Sequence, residues 1–210
     1  WVTGTGVSAR WNHVGPGAVS GVAVPVLSMG RLVVCEKLFR ITTNITLLER
    51  SELNSPRLRQ LALRAPGTYT HSLIIANLAE SAAEAIGANP LSARVGAYYH
   101  DVGKMQRPHH FVENQLYKGN PHDKLSPQMS ALIVAAHVKD GIEVAERAGL
   151  PKQIVDFIPQ HHGTLLITYF YRRAQELSGD QNVPEEGFRY PGPKPQTKEA
   201  AILMMADAVE

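Results

Sequence analysis

The 210-residue chain is 44% hydrophobic and carries 21 Lys and Arg against 19 Asp and Glu, a net charge of +2. It can bury one good core and a short appendage, and it lacks the global basic field that holds a DNA or RNA polymer. The single cysteine, Cys35, excludes an internal disulfide and a cysteine-rich zinc module. An anionic ligand must therefore be held by a local site.

Val14 to Gly30 carries no charged side chain, and Arg31 interrupts before Leu32-Val33-Val34-Cys35. The stretch has about the length of a membrane span, for which roughly 20 apolar residues are needed. Pro25, several glycines and Arg31 make it a poor one, and it lacks the charged start and cleavage site of a signal peptide. The start at Trp1, and an apolar helical pattern running from Ile202 to Val209 up to Glu210, predict a fragment whose last helix continues.

From Glu36 to Arg64 the pattern predicts helix, with Leu47, Leu48, Leu58, Leu61 and Leu63 apolar and a start at Asn54-Ser55-Pro56. Ala65-Pro66-Gly67 breaks it; a long helix then runs from Thr68 to Ile86 and stops at Gly87. The next begins near Pro90 and runs through His100-Asp101 to Gly103, followed by an irregular polar stretch to Lys124. Ser126-Pro127 restarts helix, which is expected to break at Asp140-Gly141 and resume to Ala148. Pro151 opens a helix ending at His161-His162-Gly163, and Leu165 to Leu177 is amphipathic. Residues 179 to 196, with four prolines and three glycines, predict a long loop serving as lid or tether. With no alternating strand pattern and no internal repeat, the predicted fold class is all-α.

Seven residues stand against this background: His71, His100, Asp101, His137, His161, His162 and Asp207. Residues three, four and seven apart share a helical face. By that phase His71 aligns with Ile74, Ile75, Leu78 and Ala82, and His100 with Ala93, Gly96 and Ala97. His137 aligns with Ile133 and Val134, His161 with Ile154, Phe157 and Ile158, and Asp207 with Leu203 and Met204. One core histidine is ordinary; inward ionisable groups on five helices are not, and a divalent metal would pair them. Seven donors exceed a four-coordinate zinc site and suit two octahedral ions. Nitrogen and oxygen donors without thiolate point to iron, manganese or cobalt. Asp101 can bridge the ions, and a hydroxide between them would be a nucleophile for phosphoryl chemistry.

The order H…HD…H…HH…D resembles the HD-domain metal-dependent phosphohydrolases. "APGTYTHSLIIANLAESAAEAIGAN", "YYHDVGK", "FVENQ", "NPHD", "QHHGT" and "FRYPGPKPQTKEAAILMMADAVE" look like the cytoplasmic HD domain of bacterial seven-transmembrane HD proteins. The resemblance implies an HD helical bundle with a binuclear metal site, preceded by a partial membrane-span or linker segment. It implies hydrolysis of cyclic di-AMP to pApA by a metal-bridging hydroxide, with two iron or manganese ions as cofactors. His71, His100, Asp101 and Asp207 would hold one ion; Asp101, His137, His161 and His162 would hold the other. Residues 1–37 would be the remnant of the last span and its flank, and 38–210 a C-terminally truncated HD domain. The implied location is the bacterial cytoplasmic membrane, with the HD domain on the cytoplasmic side and oligomerisation open.

Lys104, three residues after Asp101, is a candidate catalytic cation; Arg107, His110 and Tyr190 are candidate substrate contacts, Tyr190 by stacking on a base. His109 is weighed with Arg107, whereas His122-Asp123 reads as loop packing or capping. An HD-type nucleotidase or dNTPase and a cyclic-di-GMP phosphodiesterase are the alternatives, the latter disfavoured because no "GYP" element is present. A di-iron oxygenase and a non-catalytic nucleotide sensor are remoter readings.

Overall fold

The computed structural model describes residues 21, 23–28, 30–31, 38, 42–115, 119–179 and 182–210. They fall in two compact units, Trp1–Thr43 and Asn44–Glu210. In the first unit residues 23–28 are helical, and Val24, Val26 and Leu27 are exposed. No helix among the described residues is long and apolar enough to cross a membrane. The expected remnant of the last span, residues 1–37, falls in large part outside the described residues, as does its boundary at residue 37.

The second unit is all-α. Its helices are α1 (Asn44–Arg50), α2 (Pro56–Arg64), α3 (Pro66–Ala85), α4 (Pro90–Tyr99), α5 (Pro127–Arg147), α6 (Lys152–Val155), α7 (Phe157–Gln160), α8 (Thr168–Ser178) and α9 (Lys198–Val209). Proline in the first turn starts α2, α3, α4 and α5, where its missing N–H costs nothing. Ser55, Asn89, Ser126 and Thr197 cap α2, α4, α5 and α9 by accepting from Leu58, Ser92, Met129 and Ala200 N–H groups. Gly87, at φ +67°, ends the α3 segment in the left-handed conformation.

The centre of the unit is the α3–α4 pair, with α9 laid against both. Its shared surface is rich in alanine, with Ala76, Ala79, Ala83, Ala93, Ala97, Ala200 and Ala206 all buried. Small side chains bring these helices close, and Leu58, Leu61, Ile75, Ile154 and Ile158 fill the remaining volume. A second cluster, Ala131, Phe170, Ala174 and Phe188, joins α5 to α8 and to the segment after it.

Four expectations are corrected. The helical pattern from Glu36 to Arg64 divides at Ser51–Ser55, with the expected start at Asn54-Ser55-Pro56 in place, but Leu48 and Leu63, expected as apolar-face positions, point to solvent. Helix α5 runs unbroken through Asp140-Gly141; Gly141 is there because the 3-10 turn Val102–Gln106 crosses at Gly103, not because the helix ends. The last amphipathic helix starts at Thr168 rather than Leu165, since Leu166 forms an antiparallel bridge with Arg189. Residues 182–196 are packed onto the domain and are not a free tether. Phe188 is buried, Tyr171 Oη donates to Val183 O, and Gln196 N donates to Gln160 Oε1 at 2.7 Å.

A Cβ at Gly103 would stand 2.0 Å from His137 O and 2.5 Å from Gly141 N, both backbone atoms. Gly103→Ala therefore lowers stability by about 2–3 kcal/mol, roughly 4–12 °C in Tm for a domain of this size. Gly187→Ala, with nothing within 4 Å, leaves the thermal melt unchanged.

Candidate metal centre

The seven residues meet at one place, delivered by α3, α5, α9 and the segments that follow α4 and α7. Ligand atoms of Asp101, His137, His161 and His162 lie within 4.8 Å of one another, as do those of His71, His100, Asp101 and Asp207. Asp101, fully buried, belongs to both sets. Its Oδ1 faces His137 Nε2 at 3.3 Å and His161 Nε2 at 3.5 Å. Its Oδ2 faces His100 Nε2 at 3.3 Å and His71 Nε2 at 3.8 Å. Asp207 Oδ1 accepts from His71 Nε2 at 2.9 Å and lies 3.5 Å from His100 Nε2, while its Oδ2 is 3.5 Å from His162 Nδ1.

Local backbone chemistry aims the rings. His100 and His161 occupy the C-cap positions of α4 and α7, where the last carbonyls have no partner within the helix. Each donates Nδ1–H to the carbonyl three residues back, His100 to Ala97 O at 2.7 Å and His161 to Ile158 O at 2.6 Å. His137 does the same to Val134 O at 2.6 Å from within α5. With Nδ1 so engaged, the three rings turn Nε2 toward Asp101, as second-shell bonds orient metal-binding imidazoles elsewhere. His162 has no such bond; its ring is stacked on Tyr190, centroids 4.0 Å apart at 25°.

The protein's own charges divide the cluster. Burial opposes charge on His100, but Asp101 and Asp207 outweigh it and raise the imidazole to about 10. Burial likewise opposes charge on His71, and the Asp207 hydrogen bond prevails, raising it. On the other side burial, opposed by Asp101, pulls His137 down to about 3. Burial, with His161 and His137 adding repulsion, holds His162 far below the ordinary histidine value. Both carboxyls stay ionised: burial would raise Asp101, but Lys104 and His100 hold it well below the usual range. Burial would likewise raise Asp207, but hydrogen bonds from His100 and His71 hold it down.

This donor set fits divalent metal. His100 Nε2 and both oxygens of Asp101 are buried and make no hydrogen bond, although Lys104 Nζ stands 2.6 Å from Oδ2 as an ion-pair partner. Orphaned buried groups of this kind are costly and rare without a ligand. Five imidazoles and two carboxylates converge with no thiolate, the preference of borderline and hard cations.

Of the other candidates, Lys104 and Tyr190 reach the cluster and Arg107 and His110 do not. Tyr190 stacks on His162 and meets His137 edge-on at 6.1 Å. Arg107 pairs with Asp140 at 2.7 Å in a separate cleft. The His110 ring packs against His122 at 5.3 Å and lines another cleft with Gln115 and Leu125. His122 is buried in loop packing, its Nε2 against His110 O at 2.9 Å and its ring 5.0 Å from Phe170.

A family model described as HD domain matches residues 68–210. The chain belongs to the HD domain family. Over 194 residues it is 54% identical to the cyclic-di-AMP phosphodiesterase PgpH of Bacillus subtilis strain 168, covering 92% of this chain and 27% of that protein. Over 192 residues it is 47% identical to the cyclic-di-AMP phosphodiesterase PgpH of Listeria monocytogenes, covering 91% of this chain and 26% of that one. The chain thus spans about a quarter of the length of these curated relatives. The crystal structure of the Listeria monocytogenes PgpH HD domain in complex with cyclic-di-AMP superposes with a TM-score of 0.71 at 51% identity, covering 74% of this chain and 72% of that one.

Within the HD domain, sequence reasoning missed a network on the FVENQ segment. Lys104 Nζ donates to Glu113 Oε1 at 3.0 Å, and the same oxygen accepts from Thr68 Oγ1 at 2.9 Å. Asn114 Oδ1 accepts from Gly67 N at 3.0 Å and Thr68 N at 3.3 Å, capping α3 from 46 residues away. One sequence signal was available. Ala65 stands at the N-cap of α3 and offers no side-chain acceptor, so that helix end needs one from elsewhere. Glu210 was also missed; it pairs with His71 Nδ1. Asn114→Ala lowers stability by about 1–2 kcal/mol, the cost of a lost cap, as read by chemical denaturation.

Proposed function

We propose that this HD domain is a cyclic-dinucleotide phosphodiesterase that hydrolyses cyclic di-AMP to linear pApA. The observation carrying the proposal is Asp101, whose two oxygens face two separate histidine sets across one buried carboxylate. The names of the relatives and the cyclic-di-AMP complex of the Listeria domain support the choice of substrate.

In this reading two ions, iron or manganese, would be held, with Asp101 common to both ligand sets. His71, His100 and Asp207 complete one set, and His137, His161 and His162 the other. When bound, such ions supply Lewis acidity and an ionised water at neutral pH. The protein's part is placement. Burial opposes charge on Lys104, but Asp101 and Glu113 outweigh it and keep the ammonium protonated at the edge of the cluster. There it offsets charge building on the phosphoryl oxygens as water adds to phosphorus and the ribose oxygen leaves. Tyr190 walls the cluster beside His162, fixing that ring and presenting an apolar edge to the nucleotide. In this reading the full-length protein sits at the bacterial cytoplasmic membrane through its N-terminal part, with the HD domain on the cytoplasmic side.

The iron- or manganese-loaded chain should convert cyclic di-AMP to pApA faster than it hydrolyses cyclic di-GMP or nucleoside triphosphates. No turnover of cyclic di-AMP with either metal would defeat the reading, and faster triphosphate hydrolysis would move it to the nucleotidase branch. Asp101→Ala should empty at least one metal position by elemental analysis and lower kcat by at least about a thousandfold. Glu113→Gln should leave metal content unchanged and lower kcat by about tenfold, the size of one charge-assisted hydrogen bond.

A further inference from the structure

Apart from the metal centre, α2, α5 and the turn after Asp101 enclose a polar cleft of about 490 Å³, with none of the seven candidate ligands on its walls. Four guanidinium groups face it: Arg57 and Arg64 from α2, Arg107 from the end of the turn, and Arg147 from the last turn of α5. Two carboxylates share it, and both are engaged. Arg107 Nη1 lies 2.7 Å from Asp140 Oδ2, and Arg147 Nη2 lies 3.2 Å from Glu143 Oε2. Among the described residues Arg57 has only the amide oxygen of Gln60, at 2.9 Å. Arg64 has no hydrogen bond or ion pair among the described residues.

Two uncompensated cations therefore open onto the same concave space beside two that are already paired. A solvated basic face would string its charges along one helix; these converge from three elements spread over ninety residues of sequence. Arg64 in the last turn of α2 complements that helix's negative end, which explains one arginine and not the gathering of four. Like charges drawn into one cleft repel unless a counterion lies between them. The planar guanidinium fork matches the oxygens of phosphate. Met105 and Val144, both nearly buried, give the cleft an apolar floor.

We propose that this cleft is a second ligand site, independent of the metal centre, for a phosphate-bearing anion. Arg57 and Arg64 supply the uncompensated charge, and Arg107 and Arg147 flank the bound anion. A soluble phosphate compound and a phospholipid headgroup present the same chemistry, and the test separates them.

The 210-residue chain, stripped of metal by chelation, is titrated calorimetrically with inorganic pyrophosphate. Wild type and Asp101→Ala should bind alike, because the metal centre takes no part. Arg57→Ala/Arg64→Ala should weaken binding at least about tenfold, the milder Arg64→Gln should weaken it less, and Arg59→Ala, outside the cleft, should not change it. In the second arm, sedimentation with phosphatidylglycerol and phosphatidylcholine vesicles compares wild type with the double variant, which isolates the cleft from the N-terminal segment. Pyrophosphate binding lost in the double variant assigns a soluble anion; loss confined to phosphatidylglycerol vesicles assigns a headgroup. Pyrophosphate binding abolished by Asp101→Ala, or binding in both arms indifferent to Arg57 and Arg64, overturns the proposal. None of these readings depends on turnover of cyclic di-AMP.

Discussion

Everything at the centre of this domain is arranged around one buried carboxylate. Asp101 is almost without solvent contact, yet four imidazole nitrogens and an ammonium lie within 3.8 Å of its two oxygens. A carboxylate in that position cannot be hydrated and is tolerated only because cations surround it. The two halves of the cluster answer it differently. The carboxylates pull His71 and His100 upward, whereas burial pulls His137 and His162 down. Binding a divalent ion requires the imidazoles of both sides to be deprotonated.

Positioning depends on features that are not themselves ligands. Two of the histidines sit where helices end, and each ring satisfies a carbonyl that the helix leaves free. The same bond that stabilises the helix terminus thus fixes the tautomer, so fold stability and site geometry are not separable there. The FVENQ segment works similarly, since Asn114 caps the helix that carries His71 while its neighbour Glu113 holds Lys104. Gly103 allows the turn bearing Lys104 to touch the backbone of α5 beside His137. A side chain there would separate the two ligand-bearing elements.

How much of this was legible in the sequence follows from the range of each interaction. The helix starts at Pro56, Pro90 and Pro127 were readable because a cap and a proline act within one turn. The convergence of the seven residues was readable because period sorts inward from outward positions, as it does for His100 with Ala93, Gly96 and Ala97, all buried. The same period misled at α3: Ile74 and Leu78, aligned with His71, are exposed, and the buried face follows Ser72, Ile75, Ala76 and Ala79. His71 lies at the border of that face, which suits a group that must reach both the cluster and Glu210. Gly141 misled because a glycine that ends a helix and one that admits a crossing chain look alike in one dimension. Arg107 was drawn to the metal centre by its closeness in sequence to Lys104, but three residues along a 3-10 turn carry it to Asp140. Glu113 and Asn114 could not be read from pattern at all, since their partners lie up to 47 residues away.

Charge bookkeeping at the centre also bears on which substrates suit it. Among the ligands only Asp101 and Asp207 are anionic, and Lys104 is balanced by Glu113. A pair of divalent ions held by two carboxylates and five neutral imidazoles would keep an excess of positive charge. Inside a site whose walls are buried, that excess is weakly screened and calls for an anion. A phosphodiester carries a single negative charge and gains a second across its equatorial oxygens during attack, so it draws more on the excess in the transition state than on binding. A more carboxylate-rich ligand set would surrender that difference, and a neutral substrate would never call on it. The histidine-rich composition of the cluster is thus itself an argument for phosphoryl chemistry, separate from the likeness to relatives.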